Sequence, residues 1–319
     1  MSVTIDDLRA ASGRIQALAK NTPVLHSRLF DEAAGLECYF KCENLQRGGA
    51  FKIRGALNFL MALPPEDRKR GVVTFSSGNH AQAVAIAASH LNVSATIVMP
   101  TDTPKAKLAS TKLYNPRIIL YDRLKENREE IARKIAAETN AVVLPSYDHP
   151  WVVAGQGTAA LELLAEKPDL DAIFTPVGGG GLLAGTLIAA QAHSPHIRVF
   201  GVEPEMANDW DQSLKAGKRV GIPPPNTIAD GLRTPIPGEI TFPIVSALAA
   251  GLILVSEEEI KAAVRFLLTR LKILAEPSGA VPAAALLHKK VPSGIRSAGI
   301  IVSGGNVDFD VLAEICQAA

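Results

Sequence analysis

Residues 172–190, AIFTPVGGGGLLAGTLIAA, decide how the chain is read: an apolar and β-branched run, four consecutive glycines, then an Ala/Leu/Ile stretch. Strand, turn and helix follow in that order. The strand segment is largely apolar rather than alternating, the pattern of a strand covered on both faces in a parallel sheet. Comparable short runs occupy 71–75, 95–99, 117–121, 141–144, 198–202 and 299–302, with Ala/Leu-rich helical stretches between them. The alternation predicts an α/β fold of open parallel sheets, with function at the carboxyl ends of the strands.

The runs near 72, 96, 118 and 142 come at close, even spacing and predict a compact four-stranded domain over 71–148. Segments 1–70 and 149–319 then form a larger domain, and a cleft separates the two. A chain of 319 residues, 47% of them hydrophobic, can fill both cores. With 33 Lys+Arg against 32 Asp+Glu the formal charge is +1, which offers no basic field for nucleic acid and suits small neutral or zwitterionic partners. No apolar run reaches the roughly 18 residues of a membrane span. The opening MSVTIDDLRAASGRIQ has no basic segment ahead of an apolar one. A cytoplasmic protein without a membrane partner is expected. Cys38 and Cys42 stand four residues apart in the strand-like LECYFKCEN, roughly 13 Å in extended chain and beyond disulfide reach. They and Cys316 are expected as buried small hydrophobes. The Pro-rich 222–225 reads as a surface loop.

Three Gly/Ser-rich elements follow strands and open helices. In TFSSGNHAQAVAIAAS, Ser76, Ser77, Gly78 and Asn79 turn the chain before an Ala-rich helix, where free backbone N–H groups can hold an anion. A plain N-cap accounts for the same residues. In the second element Gly178, Gly179, Gly180 and Gly181 let the backbone approach a ligand, and the following helix adds its positive end. The loop lacks the Lys-Ser/Thr of a Walker motif and the spacing of a dinucleotide fingerprint, so a lone phosphomonoester suits it better than ATP or NAD. In IIVSGGNVD, Ser303 ends a hydrophobic strand with its hydroxyl free to meet a ring nitrogen, or merely to serve the turn. Against these stands Lys52, near the start of a helix after the Gly-Gly of NLQRGGAFKIRGALNFLMAL. The positive end of a helix disfavours an ammonium and lowers its pKa toward the neutral amine that a Schiff base requires. A solvated lysine on an exposed helix face is the alternative reading. The pairing of an amine with a phosphate cradle is what singles Lys52 out.

The segments KCENLQRGGAFKIRGA, SSGNHAQAVA, AGQGTAALEL, PVGGGGLLAG, GVEPEMAND, TIADGLR, EPSGAVPAAAL and SGGNVD run in this order over essentially the whole chain. Together they resemble the fold-type II pyridoxal 5'-phosphate (PLP) enzymes, whose fold is like that of tryptophan synthase β. Within them the likeness is to the serine/threonine dehydratase (threonine ammonia-lyase) and serine racemase group. The commoner lysine motif of that group has Ser at the place of Ala50. The resemblance implies that Lys52 is the Schiff-base lysine, with Phe51 beside it. It further implies that Gly178, Gly179, Gly180, Gly181 and Leu182 hold the phosphate, that Asn79 meets the ring hydroxyl and Ser303 the pyridine nitrogen, and that Glu276 joins the cofactor site. Ser76, Ser77, Gly78, Asn79 and His80 would receive the substrate carboxylate on backbone N–H donors. Glu203, the Ala207 carbonyl and Asp209 would bind Mg²⁺, Ca²⁺ or Mn²⁺ in a structural or activating role. Without the resemblance, Glu203 and Asp209 read as solvated surface acids.

The implied activity is loss of water and then ammonia from L-threonine or L-serine, giving 2-oxobutanoate or pyruvate. Ser77 matches the second proton carrier of the racemases, where dehydratases often have Ala, so serine racemisation stays open. Dehydration of 3-hydroxyaspartate or phenylserine stays open too, because small changes around the pocket decide the β-substituent; Asp230 and Arg233 in TIADGLRTP could meet a polar one. Arg128 matches a racemase arginine near the substrate pocket but also reads as a solvated helix charge in ENREEIARK. A non-catalytic amino-acid sensor on the same fold is opposed by the intact Lys52, glycine loop and Ser303. A nicotinamide-dependent dehydrogenase lacks its fingerprint. The short stretch after SGGNVD points to a catabolic enzyme without isoleucine feedback, and relatives of this kind are commonly homodimers.

Overall fold

The computed structural model describes residues 3–76, 78–103 and 105–317. In chain order its strands are β1 (Val24–His26), β2 (Glu37–Cys42), β3 (Val72–Phe75), β4 (Ala95–Pro100), β5 (Arg117–Tyr121), β6 (Val142–Val143), β7 (Ala172–Pro176), β8 (Arg198–Pro204), β9 (Gly251–Val255) and β10 (Ser297–Val302). They form two open sheets, one of six strands ordered β1-β2-β10-β7-β8-β9 and one of four ordered β5-β4-β3-β6. All described pairings are parallel except β1 with β2. The α/β architecture expected from the sequence is therefore present.

The central strand β7 is buried at every position, as its non-alternating and largely apolar run requires. The helix after it, Gly181–His193, is buried along its first ten residues because a second helix, Pro150–Glu166, lies directly against it. A Cβ at Gly185 would stand 2.6 Å from the Gly157 nitrogen. A Cβ at Gly155 would stand 2.6 Å from the Gly55 Cα on a third helix, Lys52–Ala62. Glycine at these crossings lets three helix backbones touch, and that contact sets the distance between the lysine and the glycine loop.

The Lys52–Ala62 helix also shares apolar packing with the smaller sheet, Ile53, Ala56, Leu57 and Leu60 lying in one cluster with Val72, Val84 and Ala87. Beneath it Arg54 is fully buried and paired with both Glu43 and Glu162, while Lys41 pairs with Glu162 from the neighbouring strand. Two strands escaped the sequence reading. β1 has only three residues. The β9 run GLILV adjoins the apolar helix Thr241–Leu248, so the boundary between them carries no polar signal. Cys38 and Cys42 are buried free thiols as expected. Cys316 is not: it is exposed in the last turn of Phe309–Gln317, a helix that meets the core through buried Ile315 and half-buried Leu312. Among the described residues, no helix is long and apolar enough to cross a membrane.

Candidate active site

Four loops at the carboxyl ends of strands converge on one cavity of about 790 Å³ between the two sheets. They are the 76–80 loop after β3, the 146–148 segment after β6, the glycine loop after β7 and the 303–306 turn after β10. All the described residues expected to hold the cofactor, the carboxylate or the β-substituent line it, Arg128 and Asp230 included. Ser77, expected as the second proton carrier, lies outside the described residues.

Lys52 opens its helix behind Phe51, which supplies no side-chain cap. Backbone pairing brings this segment to the last turn: Phe51 N–H donates to Ser303 O at 3.0 Å, Gly305 N–H to Gly49 O at 2.9 Å, and Ala50 bridges Gly304. Ser303, 3% exposed, is thereby fixed beside the lysine segment. The Lys52 ammonium donates to Ser146 O at 2.9 Å. Burial pushes its pKa down to about 8, against the opposing pull of Glu276. Desolvation lowers it in the same direction as the field of the helix end inferred from the sequence.

In the glycine loop Gly180 has φ +91°, a left-handed backbone that glycine adopts freely. The Trp210 indole donates to the Gly178 carbonyl, and the Thr241 hydroxyl donates to the Gly179 carbonyl at 2.8 Å. With those carbonyls tied back, the loop N–H groups are left for an anion at a helix N-terminus. The Tyr147 ring lies flat on Gly179, where any Cβ would fall 2.2 Å from it.

Asn79 donates to Glu276 Oε1 at 2.5 Å. Burial, with Asp230 nearby, holds the Glu276 carboxyl well above the usual carboxylate range. His80 is 2% exposed and pushed down to about 3 by burial and by the Lys52 charge. The Thr74 hydroxyl gives its proton to Leu144 O at 2.8 Å, so it accepts from His80 Nε2 at 3.1 Å and leaves Nδ1 bare. His80 Nδ1, Glu276 Oε2 and Gln156 Nε2 are buried without a partner among the described residues, and all three side chains line the cavity. Unpaired buried polar atoms around a glycine cradle suit a polar, phosphorylated cofactor.

The remaining expected residues divide. Arg128 is exposed at the rim, 5.5 Å above the Phe75 ring. Asp230 is paired with Lys107. Arg233 lines the cavity, but its guanidinium is engaged by Thr227 O at 2.8 and 2.6 Å. Glu203 and Asp209 are not solvated: they are 0% and 1% exposed and lie outside the cavity lining. Burial pushes Glu203 up to about 9 and Asp209 up to about 8. Glu203 accepts the Asp211 N–H at 2.8 Å, whereas Asp209 Oδ2 has no partner among the described residues. Two buried carboxylates, one with an unpartnered oxygen, are hard donors of the kind a divalent cation takes, but among the described residues no group of three or more His, Cys, Asp or Glu side chains gathers around them.

Residues unassigned from the sequence also line the cavity. Tyr147 and Ser146 follow β6 and could have been found by the same carboxyl-end rule that gave the other loops. Gln156 sits inside AGQGTAALEL without a role read for it, and Lys107 in KAKLASTK carried no signal. Asn306 ties the motifs together, donating to Gly48 O at 2.7 Å and Asn79 Oδ1 at 3.0 Å.

The family model described as pyridoxal-phosphate dependent enzyme matches residues 15–304. The L-threo-3-hydroxyaspartate ammonia-lyase of Saccharomyces cerevisiae is 49% identical over 98% of this chain and 96% of its own length. The structure of maize serine racemase is similar at TM-score 0.95 and 42% identity, covering 100% of this chain and 98% of that one. The crystal structure of serine racemase from Dictyostelium discoideum is similar at TM-score 0.91 and 43% identity, covering 97% of this chain and 100% of that one.

Proposed function

Because the chain belongs to the pyridoxal-phosphate dependent enzymes, we propose that it is a lyase removing water and then ammonia from L-threonine and L-serine. The observation that carries the reading is the cleft amine of Lys52, pushed down to about 8 and set among unpaired buried polar groups beside a glycine cradle. Near neutral pH a useful fraction of such an amine is unprotonated and able to form the covalent link or take a proton. Bound pyridoxal phosphate supplies an electron sink for negative charge at the substrate Cα.

In this reading the N–H groups of Gly178, Gly179, Gly180 and Gly181 hold the phosphate, and Asn79, Glu276 and Ser303 orient the ring. The 76–80 loop holds the substrate carboxylate, and Lys52 takes the Cα proton. The β-hydroxyl departs as water, and the free imine hydrolyses to a 2-oxo acid and ammonia. Ser303 is a hydroxyl where an acid would keep the ring nitrogen protonated, which favours β-loss over transamination. Glu203, Ala207 O and Asp209 bind Mg²⁺ or a similar divalent ion away from the reacting atoms. Few and unpaired cysteines fit a reducing cytoplasmic setting, and the working form is a homodimer, which light scattering can measure.

A specific observation favours a second reading. Arg123, Lys125 and Arg128 line the cavity beside Asp102 and Glu126, an excess of positive charge suited to a second carboxylate such as that of 3-hydroxyaspartate. The test is release of 2-oxo acid from L-threonine, L-serine and threo-3-hydroxyaspartate, with D-serine followed in the same assay. Lys52→Ala should lose both the bound cofactor's visible absorbance and turnover. Retention of either overturns the assignment of Lys52.

A further inference from the structure

We propose that Lys107 binds the substrate carboxylate, and that Asp230 occupies its ammonium until a substrate arrives. The inference rests on reading the 76–80 loop as the carboxylate site. Lys107 belongs to the helix Lys105–Lys112 on the smaller-sheet side, and its partner Asp230 comes from a loop on the opposite side of the cleft. A Cβ on Gly78 would stand 3.9 Å from the Lys107 ammonium nitrogen, so the charge lies beside the loop rather than out at the rim. The unpartnered His80 Nδ1 and Glu276 Oε2 line the same cavity.

Backbone donors at a helix N-terminus present about half an elementary charge. A substrate carboxylate carries a full one, and Lys107 supplies the difference. The exposures decide which partner leaves: the Lys107 side chain is 11% exposed and the Asp230 side chain 35%. Lys107 cannot return its charge to water, whereas Asp230 can rehydrate once displaced. The other rim cations with described carboxylate partners, Arg123 with Asp102 and Lys125 with Asp122, form well exposed pairs, so they are screened by solvent.

The experiment uses holoenzyme of the wild type, Lys107→Met, Lys107→Arg and Asp230→Asn. Steady-state constants for L-serine are measured beside calorimetric binding of 3-hydroxypropanoate, which has the carboxylate and β-hydroxyl but no amine. Lys107→Met should raise KM and the probe's Kd at least about tenfold with kcat within about threefold, the signature of lost ground-state binding. Lys107→Arg should restore both to within about threefold, and Asp230→Asn, lacking the competing carboxylate, should bind the probe more tightly. The proposal is overturned if Lys107→Met binds the probe within about twofold of wild type, or loses kcat at unchanged KM. It is overturned in its second half if Asp230→Asn weakens the probe. If 3-hydroxypropanoate fails to compete with L-serine in the wild type, the carboxylate-loop reading falls and takes this one with it. Competition in the wild type with equal binding by Lys107→Met removes Lys107 alone.

Discussion

At the scale of single residues, Lys52 sets two pH dependences. With its amine pushed down to about 8, cofactor uptake by the cofactor-free protein should rise about tenfold per pH unit up to that value and level off above it. Stopped-flow absorbance during reconstitution reads this directly, and a rate still climbing near pH 10 would indicate an ordinary lysine. The same shift acts on stability with a definite sign. A lysine whose folded pKa lies below its unfolded value of 10.5 costs stability fully below pH 8, and the cost fades between about 8 and 10.5. Lys52→Met should therefore raise the melting temperature of the cofactor-free protein at pH 7, with the gain vanishing near pH 10.5. Lys52 as the candidate lysine was legible in its company of motifs. The cause of its softened basicity was not, because burial depends on chain segments more than ninety residues away, such as the Ser146 carbonyl.

At the scale of elements, the site is held by helices that touch through glycine. A Cβ on Gly155 would meet the Arg54 carbonyl and the Gly55 Cα, both backbone atoms at 2.6 Å that no rotamer change can clear. Gly155→Ala should cost about 1–3 kcal/mol in denaturant unfolding and weaken cofactor retention, since it drives the lysine helix from the Pro150–Glu166 helix that packs on the glycine-loop helix. The ion cluster beneath makes a separate demand. Arg54→Met leaves Glu43 buried without its guanidinium, and breaking such a pair costs about 3–5 kcal/mol. A midpoint shift below about 1 kcal/mol would mean water reaches Glu43. The strands β3, β4, β5, β7, β8 and β10 were legible because they are apolar runs bounded by turn residues. β9 was not, since its run adjoins an apolar helix and periodicity alone does not separate the two.

At the scale of the whole molecule, two sheets meet over one cavity and a pair of buried acids stands apart from it. With folded pKa values of about 9 for Glu203 and about 8 for Asp209, against 4.5 and 3.8 unfolded, the native state holds extra protons between those limits. Stability from this pair therefore falls as pH rises through that window. On the metal-site proposal a divalent cation would bind the ionised pair and reverse the trend: saturating Mg²⁺ or Ca²⁺ should raise the melting temperature by several degrees at pH 8, about 2.7 kcal/mol at a hundredfold excess over Kd. Glu203→Gln should abolish that response. The sequence by itself determined the α/β class, the position of the glycine loop and of the candidate lysine, and the order of the motifs, because each is written in contiguous residues whose spacing a strand or helix enforces. Only the tertiary structure decided that Glu203 and Asp209 are buried and Cys316 exposed, that Tyr147 covers Gly179, and that Lys107 faces Asp230 across the cleft. Burial and charge pairing between residues 123 positions apart are properties of packing, and nothing local in the chain encodes them.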